Sequence, residues 1–99
     1  MVLEQFVAQI HTGREAAFET TMEQALRTVM SRAEGLQGWS LRRCVEVPGR
    51  YQVQIRWASI EHHLRGYRDG PLAPEFRALV TPFFVQAPEM LHYEVLADG

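Results

Sequence analysis

Apolar residues recur along the chain with two different periods, and the switches between them mark out the expected elements. From Leu3 to Ile10 the pattern alternates: Leu3, Gln5, Val7 and Gln9 share one face, and Glu4, Phe6, Ala8 and Ile10 the other. A period of two belongs to a strand, and the mixed content of both faces predicts one that is partly buried on each side. Thr12-Gly13-Arg14-Glu15 has the form of a capping box, in which the Thr12 hydroxyl accepts from the third backbone N–H and Glu15 reaches back to the cap. A helix should follow, because Phe18, Met22, Ala25, Leu26, Val29, Met30 and Ala33 recur at steps of three and four, with Glu23 four residues before Arg27 on a polar flank. Gly35 is expected to end it in the left-handed conformation.

Two strand-like runs, Gly38 to Val47 and Arg50 to Ala58, flank Pro48-Gly49 and predict a hairpin. In the second run Tyr51, Val53, Ile55 and Trp57 point one way, toward a core, and Arg50, Gln52, Gln54 and Arg56 point the other. Ser59 can cap a short helix through Tyr67, on which Ile60, His63, Leu64 and Tyr67 fall on one core-facing side and His62 on the outside. Asp69-Gly70-Pro71 breaks it, and Pro74 suits the first turn of another helix whose apolar stripe is Phe76, Leu79, Val80 and Phe83. Pro82 and Pro88 end that stretch, and Met90 to Leu96 reads as a last strand.

The order β-α-β-β-α-β is the ferredoxin-like split βαβ arrangement, an α+β fold in which a four-stranded antiparallel sheet carries helices on one face. Its other face stays bare. That face holds apolar residues such as Leu3 and Val7 among glutamines, so a second copy of the sheet is its natural cover, and a homodimer through the sheet face is expected. The 99 residues, 46% of them apolar, fit one domain spanning 1–99.

Charge and composition then narrow the function. A net charge of −2, with ten arginines interleaved with acids, argues against a nucleic-acid or anionic-membrane partner, since either needs a concentrated positive field. No run approaches the roughly 18 apolar residues that span a bilayer, and the N-terminus lacks signal-peptide order. With the lone Cys44, these features predict a cytoplasmic protein. The chain has no lysine and no asparagine, which removes Schiff-base amines, phosphate-loop lysines and lysine-anchored pyridoxal cofactors. Phosphate-loop, dinucleotide, nucleophile-elbow and zinc spacings are missing as well. His62 and His63 are adjacent and diverge by about 100° on a helix, so they cannot share a metal; no metal site is expected.

His63 is the inward-pointing titratable group. Its plain reading is a hydrogen-bonded packing residue, and its functional reading a proton acceptor. Arg68, just before the Asp69-Gly70 break, is either a surface arginine or a clamp for an anion or carbonyl at a pocket mouth. Trp57, Phe76, Phe83, Phe84 and Tyr93 add aromatic surface nearby; each could be core, and together they outline an apolar cleft where broken helices pack incompletely on the sheet. Of the neighbours on the last strand only one can face the helices, and Tyr93 is expected to be a wall, with His92 left open. Glu61, Glu75 and Glu94 read as solvated faces.

Several of these residues occur together in a known pattern: Trp57-Ala58-Ser59-Ile60-Glu61-His62-His63, then Gly66-Tyr67-Arg68, Pro82-Phe83-Phe84, and Pro88 before His92-Tyr93-Glu94. The chain resembles the antibiotic biosynthesis monooxygenase (ABM) domain family of the dimeric α+β barrel superfamily over nearly its whole length. The resemblance implies a homodimer whose sheets close into a barrel, with a pocket in each subunit between sheet and helices. It also implies oxidation of a small phenol- or quinol-like aromatic by dioxygen without metal, flavin or haem, so no cofactor is expected. His63 would be the proton acceptor or anchor and Arg68 the basic partner, with Trp57, Tyr67, Phe83 and Tyr93 around the substrate. The haem-degrading branch uses an Asn, a Trp and a His; this chain has no Asn, and Gly66 and Arg77 stand at the helix positions of the other two. Two other functions remain compatible with the scaffold: a non-catalytic ligand-binding or stress-associated barrel, and a cofactor-free isomerase or cyclase in which His63 moves protons.

Overall fold

The computed structural model describes residues 1–99. Four strands, β1 (Val2–Gln9), β2 (Leu36–Arg43), β3 (Arg50–Trp57) and β4 (Leu91–Glu94), form one antiparallel sheet in the order β2-β3-β1-β4. The helices are α1 (Glu15–Thr28), a π-helical segment (His62–Arg68) and α2 (Leu72–Val80), with single 3₁₀ turns at Met30–Arg32 and Thr81–Phe83. This is the expected α+β, ferredoxin-like arrangement. Strand alternation is strictest in β3, where Tyr51, Val53, Ile55 and Trp57 are all buried beneath the helices. Phe18, Met22, Ala25 and Leu26 of α1 pack on them as the helical periodicity requires, with the Phe18 and Tyr51 ring centroids 4.9 Å apart.

The helix starts differ from expectation. The α1 helix begins at Glu15, and Thr12 makes no cap bond. Gly13, at φ 89°, turns the chain first, and the Glu15 carboxylate accepts from the Gly13 N–H at 3.0 and 3.2 Å. The capping box therefore does not form: Glu15 reaches back to Gly13 rather than to Thr12. The first turn of α2 starts at Leu72, two residues before Pro74, whose missing N–H falls in the turn where donors are unpaired in any case. Ser59 does cap its helix, its Oγ accepting from the His62 N–H at 3.3 Å. Gly35 adopts φ 86°, but α1 has already tightened into the 3₁₀ turn. Gly35 instead turns the chain into β2, and its carbonyl accepts the Ala58 N–H at 2.7 Å.

The hairpin is present, but β2 begins at Leu36 and ends at Arg43, so residues 44–49 form a loop longer than a two-residue turn, with Gly49 at φ 77°. At Gly38 the register shifts, and the Arg56 guanidinium occupies the space a Cβ would take. Two expected core residues are exposed: Ile60, before the helix widens, and Leu79, on the outer side of α2. The last strand is shorter than its apolar pattern suggested, because it pairs with β1 only over Val2 to Gln5. Opposite the helices the sheet is uncovered, with Val7, Leu91 and Tyr93 about half exposed beside Leu3 and the glutamines.

Candidate active site

Between the sheet and the second half of the chain lies a cavity of about 270 Å³. Glu4, Phe6 and Ile55 form its sheet side; His63, Tyr67 and Arg68 come from the π-helical segment; Phe76, Arg77, Val80 and Thr81 come from α2; Phe84 to Met90 closes it. Phe84 reaches it because residues 83–85 run beside the end of β1, with the Val85 N–H donating to the Gln9 carbonyl at 2.8 Å and Ile10 bridging to Phe84. The π-helical segment supplies the other wall. Residues four apart stay near one face of this segment, as they would on an ordinary helix, and His63 and Tyr67 both face the sheet, their rings stacked at 5.8 Å.

The polar centre of the cavity is Glu4, a residue the sequence reading placed on the inner face of β1 but did not single out. It is only 2% exposed. Its Oε1 accepts a hydrogen bond from the Trp57 indole N–H at 2.9 Å and lies 3.2 Å from His63 Nε2. Strand register explains the first contact: Glu4 stands opposite Ile55, which leaves Trp57 on the adjacent diagonal of the same face. No Arg pairs with this carboxylate. Burial pushes the Glu4 carboxyl up to about 7, with the Trp57 hydrogen bond opposing part of the rise. The same burial, aided by His92 and Arg68, holds His63 down to about 4. The Glu4–His63 contact is therefore not a charged pair: near neutral pH the imidazole is uncharged and the carboxyl is poised between its two forms. Removing both groups from water disfavours the ionised pair more than 3.2 Å of separation can restore.

His63 is 3% exposed and stacks on Trp57 with ring centroids 5.2 Å apart. Its Nδ1 is 2.6 Å from His92 Nε2. His92 stands opposite Glu4 on β4, so strand pairing sends it to the helix side, and Tyr93, opposite Leu3, goes to the bare face. The expectation that Tyr93 walls the pocket is therefore corrected: it is 45% exposed on the other side of the sheet. Phe83 also lies outside the cavity lining, packed on Phe18 at 5.8 Å with the Arg14 guanidinium 5.0 Å above its ring. Trp57 is fully buried and touches the site through Glu4 and His63 rather than as a cavity wall. Tyr67 and Arg68 do line the cavity, Arg68 from an exposed position beside Asp69, 3.8 Å away. The signal for Glu4 was an acid on an otherwise apolar strand face, and the signal for Phe84 was the Phe83-Phe84 doublet.

A family model described as antibiotic biosynthesis monooxygenase matches residues 1–81. The chain belongs to this family. The uncharacterised protein YczJ of Bacillus subtilis is 30% identical over 94 residues, covering 95% of this chain and 98% of its own. A solved Bordetella bronchiseptica protein bearing the same family name is 31% identical, with a TM-score of 0.89 over 97% of both chains. SnoaB, a cofactor-independent oxygenase from Streptomyces nogalater, shares the fold at a TM-score of 0.83 with 15% identity, over 98% of this chain and 94% of its own. No helix of this ABM protein is long and apolar enough to cross a membrane. Glu4, His63 and His92 run in a line with His63 in the middle, and no group of three or more side chains converges as a metal site would need.

Proposed function

We propose that this ABM protein is a cofactor-independent monooxygenase that takes a small phenol- or quinol-like aromatic into the cavity and removes its proton with Glu4 and His63. The observation that carries this reading is the buried Glu4 carboxyl, raised to about 7 without a cationic partner, on an apolar cavity beside a neutral imidazole. A base tuned to neutral pH in a dry site is well matched to a weakly acidic phenol or activated methylene. The volume suits one or two fused rings flanked by Phe6, Phe76 and Phe84.

Deprotonation leaves a substrate anion. That anion passes one electron to dioxygen, and the resulting radical and superoxide combine as a peroxide on carbon. Loss of water from the peroxide leaves a carbonyl: one oxygen atom stays on carbon, and the other departs as water with one hydrogen equivalent to the proton the base removed and one from the oxygenated carbon, so the substrate is the only reductant. Arg68 at the mouth is positioned to attract the anionic oxygen. Trp57 acts by holding Glu4, and Tyr67 forms a wall. The protein works as a homodimer through the bare sheet face, where Leu3, Val7, Leu91 and Tyr93 would meet a second copy.

Oxygen uptake by metal-free protein with a panel of anthrones and hydroquinones tests the reading, with uptake abolished in Glu4→Gln and His63→Ala. Absence of uptake across the panel would remove it. The imidazole pair also favours a second reading, proton transfer without oxygen, as in an isomerase. That reading predicts deuterium exchange at an activated C–H of the same compounds under nitrogen with no oxygen consumed; binding with neither reaction would indicate a ligand carrier.

A further inference from the structure

We propose that His92 is the outlet of a proton relay, Glu4–His63–His92, that keeps the buried carboxyl in equilibrium with solvent while a ligand fills the cavity. The inference rests on the base assigned above, but on a different observation: the two sides of the relay open to different places. Glu4 and His63 line the cavity. His92 does not; it lines a separate surface hollow with Val2, Ser59 and Ile60. Between them stands only the His63 ring, with Nε2 3.2 Å from Glu4 Oε1 and Nδ1 2.6 Å from His92 Nε2. An imidazole bridged at both nitrogens can accept a proton at one and release one at the other.

A carboxyl poised near neutrality is protonated in part of the molecules when a ligand enters, and it must lose that proton before it can act as a base while the occupied apolar cavity blocks the direct route to water. The bond changes balance without charging either ring. As the Glu4 O–H breaks, a proton arrives on His63 Nε2; the proton on His63 Nδ1 moves to His92 Nε2; and the proton on His92 Nδ1 passes to water. The reverse order returns a proton and restores both tautomers. Depression of both imidazoles by burial agrees with rings that swap tautomers rather than hold a charge. The charged and titratable groups around this line are Tyr67 and Arg68 of the π-helical segment, Arg77 of α2 and Glu94 further along β4. Arg68 disfavours the imidazolium form of both histidines.

Nitrogen-15 NMR of the histidine rings in the full-length protein tests the relay without requiring any reaction. His63 and His92 are expected to change tautomer together between pH 5 and 9, at the midpoint where Glu4 ionises, and Glu4→Gln should freeze both rings in one tautomer. A His92 ring that becomes imidazolium alone, or a His63 tautomer constant across the range, overturns the proposal. Kinetics give the second arm if an anthrone is oxidised. His92→Phe, on a partly exposed edge strand, should lower kcat roughly tenfold or more with KM unchanged, and free imidazole should restore part of the rate. An unchanged kcat, or a matching rise in KM, counts against the relay. Failure of every anthrone and hydroquinone to react sinks the oxygenase reading, while the NMR outcome still decides the relay.

Discussion

Replacing Glu4 by glutamine is expected to stabilise the folded protein above neutral pH and to destabilise it by about 1 kcal/mol at pH 4, where the carboxyl is uncharged and only the cost of the buried amide N–H remains. The carboxyl ionises at about 7 in the fold against an ordinary 4.5, so it contributes stability that is fully present below 4.5 and is lost as pH rises through 7. At 1.36 kcal/mol for each pH unit between those values, the ionised form costs about 3 kcal/mol by pH 8.5. Glutamine keeps an oxygen for the Trp57 N–H but turns an amide N–H toward the apolar cavity, which takes back about 1 kcal/mol or more. A net gain of about 1–2 kcal/mol at pH 8.5 is expected. His63 runs the opposite way: held at about 4 against an ordinary 6.5, it contributes stability present above 6.5 and lost as pH falls through 4. In the native protein the two trends nearly cancel, and stability should be flat from pH 4.5 to 8.5. In Glu4→Gln only the histidine trend survives, so stability should climb between pH 4 and 6.5. Urea denaturation at several pH values, at one fixed protein concentration, measures both curves. A variant less stable than the native chain at pH 8.5, or an equal difference at pH 4 and 8.5, refutes the assigned protonation states.

Three further outcomes follow from other parts of the molecule. Trp57→Phe removes the hydrogen bond that holds the Glu4 charge, so the ionisation of Glu4, followed by carboxyl carbon-13 NMR, should move above 7 and the protein should lose about 1–3 kcal/mol. Phe18→Ala, at a fully buried ring packed on Tyr51 and Phe83, should cost about 3–5 kcal/mol by denaturation. Val7→Arg on the uncovered sheet face should convert the proposed dimer to an 11.4 kDa monomer by light scattering without lowering helix content by circular dichroism; an unchanged mass argues against that interface.

Sequence periodicity by itself determined the elements and their order. Tyr51 to Trp57 alternate because one sheet face is buried, Phe18 to Leu26 recur at helical spacing because one stripe meets that face, and the resemblance through His63, Arg68 and the Pro82-Phe83-Phe84 run pointed to the right family. Local detail was less legible. Thr12 was a sound cap by composition, but the turn at Gly13 moved the helix start to Glu15. The widened turn at His62–Arg68 is not encoded in the three- and four-residue spacing of Ile60, His63, Leu64 and Tyr67, which suits an ordinary helix.

The site itself was decided by strand pairing. Alternation along β4 states only that His92 and Tyr93 face opposite ways; register with β1, which sets His92 against Glu4 and Tyr93 against Leu3, chooses between them. The same register brings Trp57 diagonal to Glu4 and His63 over both, joining residues from positions 4, 57, 63 and 92. An acid on a strand is ordinarily solvated. The Glu4 carboxyl is raised to about 7 only because helices close over it, and the resulting loss of water is a property of the assembled fold rather than of the residue.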